Sequence, residues 1–170
     1  MLKTLKYILQ ANEFLRLPKV MRRVVFYSEG KNYWPLFKGL IDGILDQSDL
    51  NVCYISSGKD DPGFEYSDNH FKSFLIDDSY VRNWLFENMQ ADVLIMTMPD
   101  LNNYQVKRSN HPVHYIYLQH NLLSLHMSYR HGAFDWFDTV FCAGPHHVNE
   151  IRCLEEKYDL PQKKILEHGY

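Results

Sequence analysis

Seven of the nine histidines fall between His111 and His147, and imidazole is the side chain whose charge changes most readily near neutral pH. One of them, His120, directly follows the apolar run Val113-His-Tyr-Ile-Tyr-Leu-Gln, which reads as a buried strand. In open α/β sheets ligands gather beyond the carboxyl ends of the strands. His120 therefore stands where a general base would serve, or where a histidine would simply hydrogen-bond a neighbouring carbonyl. Asn121 comes next. His126, Arg130 and His131 follow within Ser124-Leu-His-Met-Ser-Tyr-Arg-His-Gly, where a short helix or loop would project groups suited to a phosphate or pyrophosphate, or plain polar surface. An earlier loop, Ser28-Glu-Gly-Lys-Asn-Tyr-Trp-Pro, also follows a strand. There Glu29 and Gly30 are candidates for ligand contact, since glycine permits positive φ or close backbone approach, and ordinary turn chemistry would use Gly30 equally well.

Other chemistries lack their signatures. No two clustered histidines have the i,i+4 spacing of HExxH, and the adjacent His146 and His147 would diverge by about 100° on a helix. No metal is expected. The loop at Gly30 is not GxGxxG, and neither GxSxG nor a Walker A sequence occurs, so no cofactor is expected. Asp135 and Asp138 flank Trp136-Phe137, and no paired carboxylates suggest glycosidase chemistry.

The elements that must position these residues alternate. Leu2, Leu5, Ile8, Leu9 and Leu15 recur at helical spacing among Lys3, Lys6, Gln10 and Glu13, giving an amphipathic helix that stops near Pro18. Residues 1–22 read as this basic helix and its linker, and 23–170 as one domain. Val24-Val-Phe-Tyr predicts a strand, with a helix from Pro35 whose apolar face is Leu36, Phe37, Leu40, Ile41, Ile44 and Leu45. Further strands are expected at Asn51–Ser56, His70–Ile76, Asp92–Thr97, Thr139–Ala143 and Lys164–Glu167, with helices near 78–90 and 145–158. Strands alternating with helices, several apolar throughout, predict an α/β fold: a Rossmann-like, mostly parallel sheet with helices on both faces.

With 170 residues, 45% hydrophobic and 23% charged, the chain suits a single core. Three cysteines without CxxC spacing argue for a reducing compartment, the cytoplasm, and no run of about 18 apolar residues spans a membrane. Residues 1–31 hold seven basic against two acidic side chains, a balance of +5, and the remainder eleven against nineteen, −8. An acidic body makes nucleic acid an unexpected partner. The basic leader could meet an anionic membrane surface, peripherally on the inner face, and its apolar face could equally pack on another domain or on a second copy in a homo-oligomer.

Four stretches together resemble a known family. They are Ala91-Asp-Val-Leu-Ile-Met-Thr-Met-Pro-Asp-Leu, Tyr115-Ile-Tyr-Leu-Gln-His-Asn, the run from Gly132 to Arg152, and Ile165-Leu-Glu-His-Gly-Tyr. They are similar to the N-terminal half of the CDP-glycerol glycerophosphotransferase family, in its teichoic-acid-polymerase-like branch, over roughly residues 24–170. The resemblance implies the acceptor-side domain of a GT-B enzyme of bacterial surface-polysaccharide synthesis. It implies a nucleotide-activated donor such as CDP-glycerol, held on a C-terminal domain, and a polyol-phosphate or glycan acceptor. His120 corresponds to the family's histidine base, with Asn121 where that pattern has glycine and Gln119 in place of an aromatic residue. Arg130 or His126 would orient acceptor phosphate. Gly169-Tyr170 resembles the start of a Gly-Tyr-Pro-Arg motif at the interdomain linker, and the chain is expected to be truncated there. A glycosyltransferase that transfers a sugar from a sugar nucleotide, or a sugar-nucleotide 2-epimerase, on the same fold, and a non-catalytic Rossmann-like binding or interaction module, are the alternatives.

Overall fold

Every residue of β1 (Val24–Ser28) and β2 (Val52–Ser56) is buried, the pattern of strands covered on both faces. Alternation decides which face each side chain serves: Val25 and Tyr27 enter one core, Val24 and Phe26 the other. The structure, a computed structural model, describes residues 2–104 and 106–169, without the side chains of Leu2 and Lys3. Completed by β3 (Phe71–Leu75), β4 (Val93–Met96), β5 (His114–Leu118), β6 (Thr139–Cys142) and β7 (Lys164–Glu167), the sheet runs β3-β2-β1-β4-β5-β6-β7. All neighbouring strands are parallel. The order reverses between β1 and β4, the switch point where doubly wound sheets open a crevice at their carboxyl edge.

The helices are α1 (Leu2–Arg16), α2 (Trp34–Gln47), α3 (Ser79–Asn88), the short α4 (Leu125–Ser128) and α5 (Pro145–Tyr158). Pro35 sits in the first turn of α2, which buries Trp34, Phe37 and Ile41. Phe37 packs edge-on to Phe26 and Tyr54, and Trp34 edge-on to Tyr54. Residues of α1, α3 and α5 enter the core on the opposite face. Asp78 caps α3 by accepting from the amides of Tyr80 and Val81, satisfying donors that a helix start leaves free.

Helix α1 packs on the core through a face that its leucine periodicity does not single out. Tyr7, Ala11 and Phe14 turn inward, Phe14 lying edge-on to Phe74 of β3 with ring centroids 5.5 Å apart. Leu5, Ile8 and Leu9, from the apolar face that periodicity marks, are exposed on the side away from this core. Apolar residues occupy more than one face of this helix, and the core takes the face whose aromatic rings bury the most area. The basic leader is also partly committed. Arg22 is buried and donates to the carbonyls of Leu17 and Gln90, Lys19 and Arg23 meet Asp92, and Lys31 meets Asp60.

One buried carboxylate organises the carboxyl edge of β1 and β2. Asp61 is 2% exposed and accepts from the hydroxyls of Ser28, Tyr54 and Ser56 and the amide of Gly63 at 2.6–3.0 Å. Ser28 and Ser56 are register partners at the ends of the two strands, so the carboxylate fastens both loops at their origin. The loops then touch: a Cβ on Gly58 would lie 2.7 Å from the Gly30 Cα, and Gly30 itself has φ 154°. This packing accounts for glycine at both positions. Asp61→Ala would strip the acceptor from four donors at roughly 1–3 kcal/mol for each one left unpaired. We expect urea unfolding to show a stability loss of at least about 3 kcal/mol, and a loss below about 1 kcal/mol would show that the carboxylate fastens nothing.

Candidate functional site

Buried polar atoms are almost always hydrogen-bonded, and each one left over costs on the order of 1–3 kcal/mol. Among the described residues those without a partner are Thr97 Oγ1, Asp100 Oδ1, Gln119 Oε1, His120 Nδ1 and His147 Nδ1. Thr97 and Asp100 follow β4, Gln119 and His120 follow β5, and His147 follows β6 in the first turn of α5. All five stand at the carboxyl edge of the sheet. Asp100 also holds a left-handed backbone, φ 62°, which a non-glycine residue adopts at a cost.

His120 lies in this group, beside the switch point. Its ring packs edge-on to Tyr33 at 5.5 Å and to Tyr117 at 6.4 Å between centroids. Burial lowers the imidazole pKa below its ordinary value, with the Leu118 carbonyl opposing the shift. Its Nδ1 is buried and has no hydrogen-bond partner among the described residues. At neutral pH the ring is uncharged and able to accept a proton. Glu29 shares this neighbourhood, since its charge raises the pKa of both Tyr33 and Tyr117 after the larger effect of burial. Its own carboxyl is raised by burial, against the pull of Arg82. Although exposed as a whole residue, Glu29 thus carries its acid group where protein displaces much of the water.

Asn121 positions the segment instead of pointing into open space. Its Oδ1 accepts from Gln119 Nε2 and the Leu123 amide, and its Nδ2 donates to the Tyr129 hydroxyl, which also takes the Tyr117 hydroxyl at 3.1 Å. Leu123 in turn offers its carbonyl to His147 Nε2 at 2.9 Å. The turn after β5 is thereby tied to both β5 and α5.

His126, Arg130 and His131 come together elsewhere. With Tyr129, Lys157 and Tyr158 they line a cleft of about 260 Å³. His120 does not line it; Tyr129 stands between the two places. Of the other histidines, His146 lies against His147 with ring centroids 3.9 Å apart, and His168 follows β7 at the same edge near Gln119. His111 meets Gln90 and His114 meets Thr139 at the amino end of β5, the edge opposite His120. No group of three His, Cys, Asp or Glu side chains among the described residues is placed to hold a metal ion. The terminal Gly-Tyr motif ends on Tyr170, which lies outside the described residues.

Thr97, Asp100, Tyr33 and Tyr129 escape sequence reading. The rule that selects His120, position just past a strand end, also selects Thr97 to Asp100, but their side chains carry no motif that marks them. Tyr33 and Tyr129 join the site through tertiary contact alone.

No family model matches the chain, and no curated protein or solved structure matches it significantly.

The lowered pKa of His120 gives a signed expectation. An unfolded histidine titrates near ~6.5, so between that value and the lower folded one the unfolded chain binds the proton more readily. Acid then removes stability across this window. In a nitrogen-resolved NMR titration the His120 ring should protonate below the free-histidine value, and His120→Gln should flatten the pH dependence of stability there. Titration at or above ~6.5 would remove the neutral-base reading.

Proposed function

We propose that this chain is the acceptor-side domain of a phosphotransferase of bacterial surface-polysaccharide assembly, resembling the CDP-glycerol glycerophosphotransferases, with His120 as its base. The supporting observation is the position of His120 just beyond β5, half-buried against Tyr33 beside the crevice that the reversal of strand order creates, with its Nδ1 unpaired. The acceptor hydroxyl oxygen attacks the β-phosphorus of a nucleotide-activated donor such as CDP-glycerol. A new phosphate ester bond forms, the bond from that phosphorus to the oxygen bridging to CMP breaks, and CMP leaves. His120 takes the hydroxyl proton as the oxygen becomes nucleophilic, a step imidazole suits because its pKa lies near working pH. Tyr33 and Tyr117 pack edge-on against its ring and hold its plane, and Glu29 and Gly30 on the β1 loop are placed to contact the substrate. The donor in this reading belongs to a separate C-terminal domain.

In the full-length protein, His120→Ala should lower CMP release from CDP-glycerol by at least about a hundredfold, the scale of a lost general base. Near-normal turnover in a folded variant would make the histidine structural. Calorimetry on residues 1–170 should show no tight CDP-glycerol binding, and micromolar affinity there would overturn the acceptor-side assignment.

Peripheral contact with an anionic membrane through residues 1–23 forms part of the same proposal. Leu5 and Leu9 are 53% and 61% exposed on the outer face of α1, beside the exposed Lys6 and Arg16, the composition of an interfacial helix. The inward face is already occupied, so the outer one alone is available. Co-sedimentation with anionic vesicles at low salt should fall in the Leu5→Gln/Leu9→Gln variant. Absence of binding, or binding that this variant leaves unchanged, removes the membrane from the proposal.

A further inference from the structure

The cleft beside Tyr129 gathers cations that no salt bridge holds, although the Asp100 carboxylate also acts on Arg130. Arg130 and Lys157 line it and make no ion pair among the described residues. Their local partners are aromatic: the Arg130 guanidinium lies 5.1 Å from the Tyr104 ring centroid, and Lys157 Nζ 5.1 Å from that of Tyr158. A ring face holds a cation in place without cancelling its charge. His131 packs edge-on to the same Tyr158 ring at 4.1 Å, and His126 adds a second imidazole, 3.4 Å from Glu150. Asp135 is the one carboxylate among the lining residues.

The loop that presents these groups is built to hold its shape. Gly132 turns at φ 82°, its carbonyl accepts from Asn103 Nδ2 at 2.6 Å, and the Ala133 carbonyl accepts from the Asp100 amide at 2.9 Å. Asp100 belongs to the strained segment after β4, so the cleft and the crevice share a wall. They also share Tyr129, which lines the cleft while its hydroxyl joins Tyr117 and Asn121. Beneath the exposed cations the cleft has a buried apolar floor, Leu125, Ala133 and Phe134.

We propose that this cleft is a phosphate-binding subsite, with Arg130 and Lys157 as its fixed charges and His131 as a further donor, and that it holds a phosphate of the acceptor while a hydroxyl of the same molecule reaches His120. The proposal rests on the transferase reading for its acceptor, but the phosphate site stands on its own geometry. Arginine offers a planar fork to phosphate oxygens and lysine a point charge.

The test is an NMR titration of this chain with inorganic phosphate and with glycerol 1-phosphate, with glycerol as the uncharged control. Both phosphates should saturate and shift the Arg130, His131 and Lys157 resonances, and glycerol should not. Arg130→Gln/Lys157→Gln should weaken binding by about tenfold or more, and His120→Gln should leave it within about twofold because that ring lies outside the cleft. Both substituted side chains are exposed, and Arg130→Gln alone, with an unchanged thermal midpoint, controls for folding. Absence of saturation, or binding that the double variant leaves intact, overturns the subsite. Phosphate binding without His120-dependent transfer leaves the subsite standing and removes the transferase reading; His120-dependent transfer without phosphate binding does the reverse.

Discussion

A carboxylate buried without a cation is tolerable only if its oxygens are filled by other donors, and the carboxyl edge of this sheet is arranged around one that meets the condition. Asp61 receives three hydroxyls and an amide, which forces Ser28, Tyr54 and Ser56 to converge and brings the loops after β1 and β2 into backbone contact at Gly30 and Gly58. The rest of the crevice depends on that constraint. Because the β1 loop cannot drift, Tyr33 arrives against the ring of His120, and Glu29 is carried to the point where it influences Tyr33 and Tyr117. The position of His120 is thus set from two sides, by the end of β5 and by a loop two strands away.

The two edges of the sheet are satisfied to different degrees. At the amino edge, Arg108 grips both oxygens of Asp138, lies over the Tyr115 ring and donates to the Val113 carbonyl, while Asp138 also accepts from the Tyr115 amide. Arg22, Arg23 and Lys19 close the neighbouring positions, and His114 finds Thr139. At the carboxyl edge, five buried polar atoms stay unpaired and two non-glycine residues, Asp100 and Asn102, hold positive φ. Among the described residues this cost is concentrated at the carboxyl edge, the left-handed Asp159 that ends α5 being the exception at the other, which marks the carboxyl edge as the one whose side chains are arranged for something besides folding. The phosphate subsite extends this asymmetry, because its cations are restrained by aromatic faces and the shared Asp100 wall without losing their charge.

Much of the fold is legible in the residues themselves. Runs such as Val24-Val-Phe-Tyr and Asp92-Val-Leu-Ile-Met have the length and β-branched content of buried strands, and Pro35 and Asp78 mark helix starts by fixed φ and by side-chain capping. Each of those signals is local, a property of a few adjacent side chains and their backbone. The same locality explains why α1 was legible as a helix but its buried face was not: Tyr7, Ala11 and Phe14 face inward because Phe74 and α3 offer them a surface, and no periodicity within residues 2–16 records that.

For the site, the sequence by itself determined that a histidine ends an apolar strand and that cationic and hydrogen-bonding side chains follow it closely. Strand order was decided only by the tertiary structure. The strand β5 by itself sends His111 and His114 to one edge and His120 to the other; what strand order adds is that β1 lies two places from β5, so that the loop after β1 reaches His120. The partnership of His120 with Tyr33, the burial of Asp61 and the meeting of Arg130 with Lys157 likewise join residues far apart in sequence. Such pairings are fixed by which faces and strand ends the packed sheet brings together, a global choice that local propensity and spacing do not encode.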